Sequence, residues 1–217
     1  MAHGFAIDGP REGDAGVGAS GAIGRGFDDP VLGAQSCFRT ILAAMSEPGS
    51  QHRLTQSIEV PHGLHAAAAE VLLTLADYET PVWLAPKVAG AAAYVRFHCG
   101  AATVAEPVDA RLAVLDGEDA QPGLAAFDAG DDRYPDRSAT LIVQCVALAG
   151  GLEVQLSGPG IREPRVIAPA GLADDFWSQV DENSQRYPLG VDLVLVAGAD
   201  MLCLPRSTRI TVIGGRR

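Results

Sequence analysis

The run GVDLVLVAG, residues 190 to 198, is the stretch of sequence that indicates the fold. Apart from Asp192 it is a continuous series of apolar residues and glycine. A strand with one face in water alternates apolar and polar residues, whereas a strand covered on both faces is apolar throughout. This run therefore predicts a strand that is buried on both faces within a sheet.

Helical patterns precede this strand. The first begins with Asp29 as its N-cap and Pro30 at the first helical position. It ends at Pro48 and Gly49, because proline disfavours a helical residue before it and glycine can adopt a positive φ. Its apolar residues that follow a helical period are Leu32, Phe38, Ile41, Leu42 and Met45.

Three further helices are predicted on either side of short strands. They cover residues 64 to 76, residues 88 to 98 with a stop at Gly100, and residues 171 to 180. The last one has Leu172, Phe176, Trp177 and Val180 on one face. Residues 82 to 84 and 111 to 116 are predicted strands.

The C-terminal half supplies more strands. Two strands around Gly150 and Gly151 predict an antiparallel hairpin, and residues 202 to 215 predict a further strand pair. Interleaved helices and strands with one antiparallel hairpin are typical of an α/β fold, here a three-layer sandwich with a mixed β-sheet. We expect residues 1 to 26, which are rich in glycine, to form a disordered extension, and residues 27 to 217 to form a single domain.

Charge limits the partners of the protein. Sixteen basic and 27 acidic residues give a net charge of −11, which opposes binding to nucleic acid or to an anionic membrane. Residues 106 to 136 hold nine of the acidic residues and two arginines, and predict an irregular, solvated surface segment. The four scattered cysteines are typical of reduced, buried thiols, and no apolar run is long enough to span a membrane, so we expect a cytoplasmic protein.

The usual catalytic motifs are missing from the sequence. Lys87 is the only lysine and Val88 follows it, so the chain has no phosphate-binding loop of the type G-x-x-x-x-G-K-[ST]. It also lacks a G-x-S-x-G elbow and an H-E-x-x-H pair. We interpret His62 and His65 as surface histidines at a helix start and not as metal ligands. We accordingly predict no catalytic residue, no metal and no cofactor.

Two residues just after the first helix, His52 and Arg53, are also of types that can take part in catalysis. His52 and Arg53 follow Pro48 and Gly49 directly, and we interpret them as exposed loop residues without a catalytic role.

One group of residues could bind an anion. Arg96 and His98 lie in the last turn of a predicted helix, where they either complement the helix dipole or form an anion site together with Arg206. Gly158 and Gly160 follow a strand and either form a simple turn or present backbone N–H groups to an anion. The sequence leaves both alternatives open for each set.

Seven stretches, in the same order along the chain, resemble one protein family. They are FRTILAAMSEPG, VLLTLADYETPVWL, VRFHCGA, ATLIVQCVALAGG, LSGPGI, YPLGVDLVLVAG and LPRSTRI. This set is similar to the PhnH subunit of the bacterial carbon–phosphorus (C–P) lyase system for phosphonate metabolism.

The resemblance implies a function. Members of the family form homodimers, join PhnG, PhnI and PhnJ, and act with PhnL in making ribose 1-phosphonate 5-triphosphate from MgATP and a phosphonate. C–P bond cleavage itself belongs to PhnJ, so the resemblance implies an accessory subunit. The alternative is an enzyme or ligand-binding subunit with its own nucleotide or phosphonate site.

The resemblance also implies a fold and bears on one cofactor. The family's fold is similar to the large domain of pyridoxal-phosphate-dependent transferases, without that cofactor. A Schiff base with pyridoxal phosphate would need Lys87, which lies outside the seven stretches.

Overall fold

The computed structural model describes residues 23 to 119 and 121 to 214. Its α-helices are α1 (Pro30–Ser46), α2 (Ala66–Leu75), α3 (Ala92–Cys99) and α4 (Phe176–Gln185). Its strands are β1 (His52–Arg53), β2 (Val82–Leu84), β3 (Leu112–Asp116), β4 (Thr140–Gln144), β5 (Val154–Ser157), β6 (Arg165–Ile167), β7 (Asp192–Ala197), β8 (Asp200–Leu204) and β9 (Arg209–Val212). None of the helices in these ranges is both long and apolar enough to cross a bilayer.

The larger sheet has six strands in the order β1-β8-β7-β4-β3-β2. Strands β7, β4, β3 and β2 run parallel, and β8 and β1 complete the sheet in antiparallel pairing. The predicted buried strand is β7, where Val194 pairs with Ile142 on one side and with Cys203 on the other. All three of these residues are fully buried. The prediction of a mixed α/β fold with a mixed sheet is confirmed.

The predicted hairpin at Gly150 and Gly151 is wrong. The strands on either side belong to different sheets, because β4 lies between β3 and β7 whereas β5 is the centre of a second, antiparallel sheet with the order β6-β5-β9. Burial explains the difference: β4 is buried almost throughout, but in β5 the buried Val154 and Leu156 alternate with more exposed residues. The antiparallel hairpin of the large sheet is instead β7–β8, which turns at Gly198 with φ +60°.

The predicted C-terminal strand pair is also wrong as a pair. Both strands exist, as β8 and β9, but β8 pairs with β7 in the large sheet and β9 pairs with β5 in the small one. His52 and Arg53 do not lie in a loop either. They form β1 at the edge of the large sheet, where Arg53 pairs with Asp200 at 2.9 Å.

Helix α1 begins and ends as predicted. Asp29 is its N-cap and accepts hydrogen bonds from the backbone N–H groups of Val31 and Leu32, each at 3.0 Å. The chain leaves the helix at Gly49, whose φ is +75°. The buried side of α1, which packs against α2 and β8, consists of Gly33, Cys37, Ile41 and Ala44. Leu32, Phe38 and Leu42 are 63%, 50% and 57% exposed.

The other helices differ from their predicted ranges at the ends. Helix α3 closes as predicted at Gly100, with φ +69°, but a 3₁₀ segment, Pro86–Ala91, replaces its predicted start. Helix α4 begins at Phe176, five residues later than predicted, because residues 171 to 175 form turns. Phe176, Trp177 and Val180 of α4 are buried.

The described chain includes residues 23 to 26, which precede the predicted start of the domain, and these residues are fixed to the rest of it. The backbone N–H of Glu59 donates a 2.8 Å hydrogen bond to the carbonyl oxygen of Arg25, and the Glu59 carboxylate accepts one from the Arg25 N–H at 3.0 Å. The rest of the predicted extension, residues 1 to 22, lies outside the described residues, as do residues 215 to 217.

Within the acidic segment the chain is irregular between short 3₁₀ turns, apart from strand β3. It is not solvated throughout, because Leu124 and Phe127 are buried. The Phe127 ring packs edge-to-face on Trp83, with 5.6 Å between the ring centroids.

Candidate functional site

Arg206 lies in the loop between β8 and β9, and its charge is matched within the chain. Its Nη2 is 2.6 Å from Oδ2 of Asp192 and its Nε is 3.2 Å from Oδ1. A third side-chain hydrogen bond, of 2.5 Å, goes from Nη1 to the carbonyl oxygen of Pro135. The two charged side chains are only 15% and 21% exposed. Arg206 therefore ties its loop to the start of β7 and to the turn at Pro135.

His98 is likewise engaged inside the chain. Its Nε2 donates a 2.7 Å hydrogen bond to the carbonyl oxygen of Gly24, and its ring lies against Tyr94 with 4.4 Å between the ring centroids. A Cβ atom on Gly26 would come within 2.9 Å of the His98 ring, so glycine allows this close approach. His98 thus fastens residues 24 to 26 to α3, while Arg96 is exposed on the same helix.

Gly158 and Gly160 form the turn between β5 and β6. Their φ angles are +132° and +79°, which favour glycine. A Cβ on Gly158 would lie 2.9 Å from the carbonyl oxygen of Ser207, and a Cβ on Gly160 would lie 2.3 Å from that of Ser46. The turn therefore packs tightly between the end of α1 and the loop that carries Arg206.

The structure thus brings together part of the predicted anion site. The Gly158–Gly160 turn meets the loop of Arg206, and beside them the Thr208 hydroxyl is buried without a hydrogen-bond partner among the described residues. Arg96 and His98 belong to α3, and His98 packs on residues 24 to 26. Anion binding by these five residues stays a prediction.

Sequence reasoning missed a cleft at the carboxyl ends of the parallel strands. It has a volume of about 440 Å³, and Asp116 and Gln144, the last residues of β3 and β4, line it together with His62, His65 and Lys87. Ligands of open α/β sheets commonly bind outside the carboxyl ends of the strands. The signal in the sequence was a polar residue at the carboxyl end of each of two otherwise apolar strands.

Three polar side chains of this cleft, Lys87, Asp116 and Gln144, are already paired. Lys87 forms an ion pair with Asp116, and this hydrogen bond raises the pKa of the lysine. Gln144 accepts a 2.6 Å hydrogen bond from the backbone N–H of His65 and donates one of 2.9 Å to the carbonyl oxygen of Gly63. The amide of Gln144 therefore fixes the start of α2. Across the described residues no three histidine, cysteine or acidic side chains are grouped so that they could hold a metal ion.

The cysteines are unreactive thiols. Burial raises the pKa of Cys37 and of Cys99 to about 11, and that of Cys145, beside the cleft, to about 12. The pKa of Cys203 is raised further by the same cause. The predicted burial is confirmed for Cys37, Cys145 and Cys203, whereas Cys99 is half-buried. A thiol with so high a pKa carries almost no thiolate at neutral pH and is a weak nucleophile.

One carboxyl group is buried deep in the helical layer. Glu70 of α2 is 1% exposed, and its Oε2 accepts a hydrogen bond of 3.2 Å from the backbone N–H of Gln56. Burial raises its pKa from 4.5 to about 7. The hydrogen bond from Gln56 to Glu70 holds the segment between β1 and α2 against helix α2.

These features define a class: a mixed α/β protein whose charged candidate residues mostly join one part of the chain to another. The family model of the bacterial phosphonate metabolism protein PhnH matches residues 25–211. The chain belongs to this PhnH family, which confirms the resemblance seen in the sequence.

Two relatives cover most of the chain. The α-D-ribose 1-methylphosphonate 5-triphosphate synthase subunit PhnH of Rhizobium meliloti (strain 1021) is 41% identical over 186 residues, which span 85% of this chain and 93% of that protein. HtxG of Stutzerimonas stutzeri, a protein named as a C–P lyase subunit, is 28% identical over 183 residues, or 83% of this chain and 87% of that protein.

Proposed function

We propose that this protein is a subunit of the α-D-ribose 1-methylphosphonate 5-triphosphate synthase of the C–P lyase system and acts in phosphonate breakdown. The observation that carries the proposal is the 41% identity to the Rhizobium meliloti subunit over 93% of that protein's length. The match to the PhnH family over residues 25–211 supports the same function.

Its role in the synthase is that of an accessory subunit. The ion pairs Arg206–Asp192 and Lys87–Asp116 join neighbouring loops and strands, which is a structural use of charge. Lys87, the lysine that a Schiff base with pyridoxal phosphate would need, is itself held in the ion pair with Asp116. We also propose that the fold is a three-layer sandwich similar to the large domain of pyridoxal-phosphate-dependent transferases.

The partners follow from the family resemblance. We expect the protein to form a homodimer when it is alone, to join PhnG, PhnI and PhnJ in the cytoplasm, and to act with PhnL. The test is co-expression of the tagged protein with the three core subunits from the same source. Co-elution as one particle is expected, and failure to retain any of the three would contradict the proposal. Restored growth of a strain that lacks this gene on methylphosphonate as the only phosphorus source is the second readout.

An alternative function is binding of a nucleotide or phosphonate by Arg96, His98, Arg206, Gly158 and Gly160. The unpartnered hydroxyl of Thr208 next to Arg206 favours it, because buried hydroxyl groups normally have hydrogen-bond partners.

Calorimetric titration with ATP and with methylphosphonate tests this alternative. If a phosphoryl oxygen takes up the hydroxyl of Thr208, Thr208→Val will weaken binding about tenfold, since it removes one hydrogen bond and keeps the shape of the side chain. Absence of heat for wild type, both alone and in the assembled complex, would exclude the site.

A further inference from the structure

Helix α1 has apolar side chains on two opposite faces. Its inner face, with Cys37 and Ile41, is buried against α2 and β8. On its outer face Val31, Phe38 and Leu42 are 65%, 50% and 57% exposed. A helix of a monomeric protein normally shows polar residues to water, and one that is apolar all round is covered on all sides. The outer face of α1 is therefore suited to a protein contact.

The outer residues follow the spacing of a helix–helix seam. Val31, Gln35, Phe38 and Leu42, all of which are exposed, are separated by intervals of four, three and four residues. This is the heptad spacing of coiled coils, in which one helix packs along another. Gln35 is the only polar residue of the seam, so the seam is suited to a helix with a similar apolar face.

The charge distribution around α1 allows contact with a second copy of the same chain. The protein carries a net charge of −11, so two copies repel each other over most of their surfaces. Helix α1 has one charged residue, Arg39, and acidic residues flank it only at Asp28, Asp29 and Glu47. Two outer faces of α1 can therefore meet without bringing acidic side chains together.

We propose that the outer face of α1 is the twofold contact of a homodimer, in which two α1 helices pack antiparallel. The inference rests on the self-association included in the proposed function and names the surface that produces it. The heptad spacing sets the register: Val31 lies opposite Leu42 of the partner subunit, and Gln35 lies opposite Phe38 of the partner subunit. A contact about a twofold axis uses the same patch on both copies, which this seam allows.

Helix α1 alone is too small to form a stable dimer interface, so the contact must include neighbouring residues. A stable interface buries about 800 Å² per partner, whereas a helix of 17 residues is only about 25 Å long. Beside the start of α1 lies a groove of about 390 Å³ lined by Phe27, Pro30, Leu73 and Phe97, and Phe97 is 68% exposed. In the antiparallel arrangement the end of α1 from the partner subunit lies next to this groove, so its apolar side chains join the outer face of α1, while Arg25 and His98 line the rest of the groove.

Sedimentation of the wild type and of single variants tests the surface. We expect a wild-type dimer and at least a 100-fold rise in the dissociation constant for Phe38→Glu, because the contact would bury an unpaired charge. Leu42→Glu provides a second variant if Phe38→Glu does not fold, as judged by circular dichroism. The control is Val108→Glu, which places the same charge at an apolar side chain that is 58% exposed outside α1. It should leave the dimer unchanged.

A charge pair tests the register. Val31→Glu and Leu42→Lys should each weaken the dimer, and the double variant should recover at least tenfold, because each glutamate then faces a lysine of the partner subunit. If both Phe38→Glu and Leu42→Glu left the dimer intact, the outer face of α1 would not be the dimer contact. A wild type that is monomeric at all concentrations would overturn self-association as well. Co-elution with PhnG, PhnI and PhnJ is measured separately and decides the proposed function on its own.

Discussion

At the scale of single residues, the charged groups that were candidates for chemistry are mostly engaged inside the chain. Arg206 illustrates why the sequence could not show this: its partner Asp192 lies 14 positions away, at the start of a strand two elements earlier. The motif around Arg206 was visible in the sequence, but its pairing depends on how β7 and β8 form a hairpin. The same holds for Lys87 and Asp116, which become neighbours only when β2 and β3 pair.

The Arg206–Asp192 pair should contribute measurably to stability. Arg206→Ala would leave Asp192, which is 21% exposed, without its partner, so we expect a loss of about 2–4 kcal/mol in the free energy of unfolding. The control is Arg53→Ala, which breaks the ion pair with Asp200, whose side chains are 66% and 44% exposed. That change should cost less than about 1 kcal/mol. Equal losses in urea denaturation would contradict the structural role of Arg206.

Glu70 makes stability depend on pH. Its pKa of about 7 in the folded chain exceeds its ordinary value of 4.5, because the carboxyl group is buried. The folded chain therefore keeps a proton that the unfolded chain loses between about pH 4.5 and 7, and stability falls as the pH rises through this window. Cys37 and Tyr94 face this group, and both remain uncharged there, since their pKa values are about 11 and 12.

We expect Glu70→Gln to remove this dependence. The free energy of unfolding of the variant relative to wild type should increase from pH 4.5 to pH 7, by up to about 3 kcal/mol, and stay constant above pH 7. The matched control is Glu153→Gln, which changes an exposed glutamate in the same way. If the difference between Glu70→Gln and wild type were the same at pH 4.5 and at pH 7.5, the carboxyl group would not titrate as inferred.

At the scale of elements, local signals and long-range pairing were predictable to different degrees. The ends of α1 were predictable because Asp29 and Gly49 act through their own backbone neighbours. The buried face of α1 was not, since apolar residues lie on both sides of the helix and only packing selects one. The false hairpin at Gly150 and Gly151 has a similar cause: a turn signal shows that the chain bends, but not which strands pair.

Gly49 should be far more sensitive to substitution than Gly198. Both have positive φ, but a Cβ on Gly49 would lie 2.4 Å from the buried Leu156 side chain, whereas a Cβ on Gly198 would have no atom within 4 Å. We expect Gly49→Ala to lower the free energy of unfolding by about 2–4 kcal/mol through strain and overpacking. Gly198→Ala should lower it by only about 1 kcal/mol through backbone strain. Similar losses for the two variants would show that Gly49 does not pack against Leu156 of the small sheet.

At the scale of the whole molecule, net charge and the apolar face of α1 act against each other. The charge of −11 repels a second copy, and the outer face of α1 favours one. The balance between them depends on ionic strength, because salt screens the repulsion between exposed charges and leaves apolar contacts in place.

Salt should therefore strengthen the homodimer. Raising the ionic strength from about 0.01 M to about 0.15 M shortens the screening length from about 30 Å to about 8 Å. We expect the dissociation constant to fall several-fold over this range in sedimentation experiments. Phe38→Glu should show no dimer at either ionic strength. Weakening of the wild-type dimer by salt would indicate a contact held by ion pairs and not by an apolar face.

The pairing of β1 with β8 has a consequence for how the protein is made in the cell. β7 covers the edge of β4 only after residues 192 to 197 have left the ribosome, and β8 must follow before His52 of β1 can pair with Met201. Until then the nascent chain carries β4 with one edge open and much of its apolar surface uncovered, a state that is prone to aggregation. The large sheet is thus complete only after β7 and β8 have been made, and we expect shortened chains that stop before β7 to need chaperones to stay in solution.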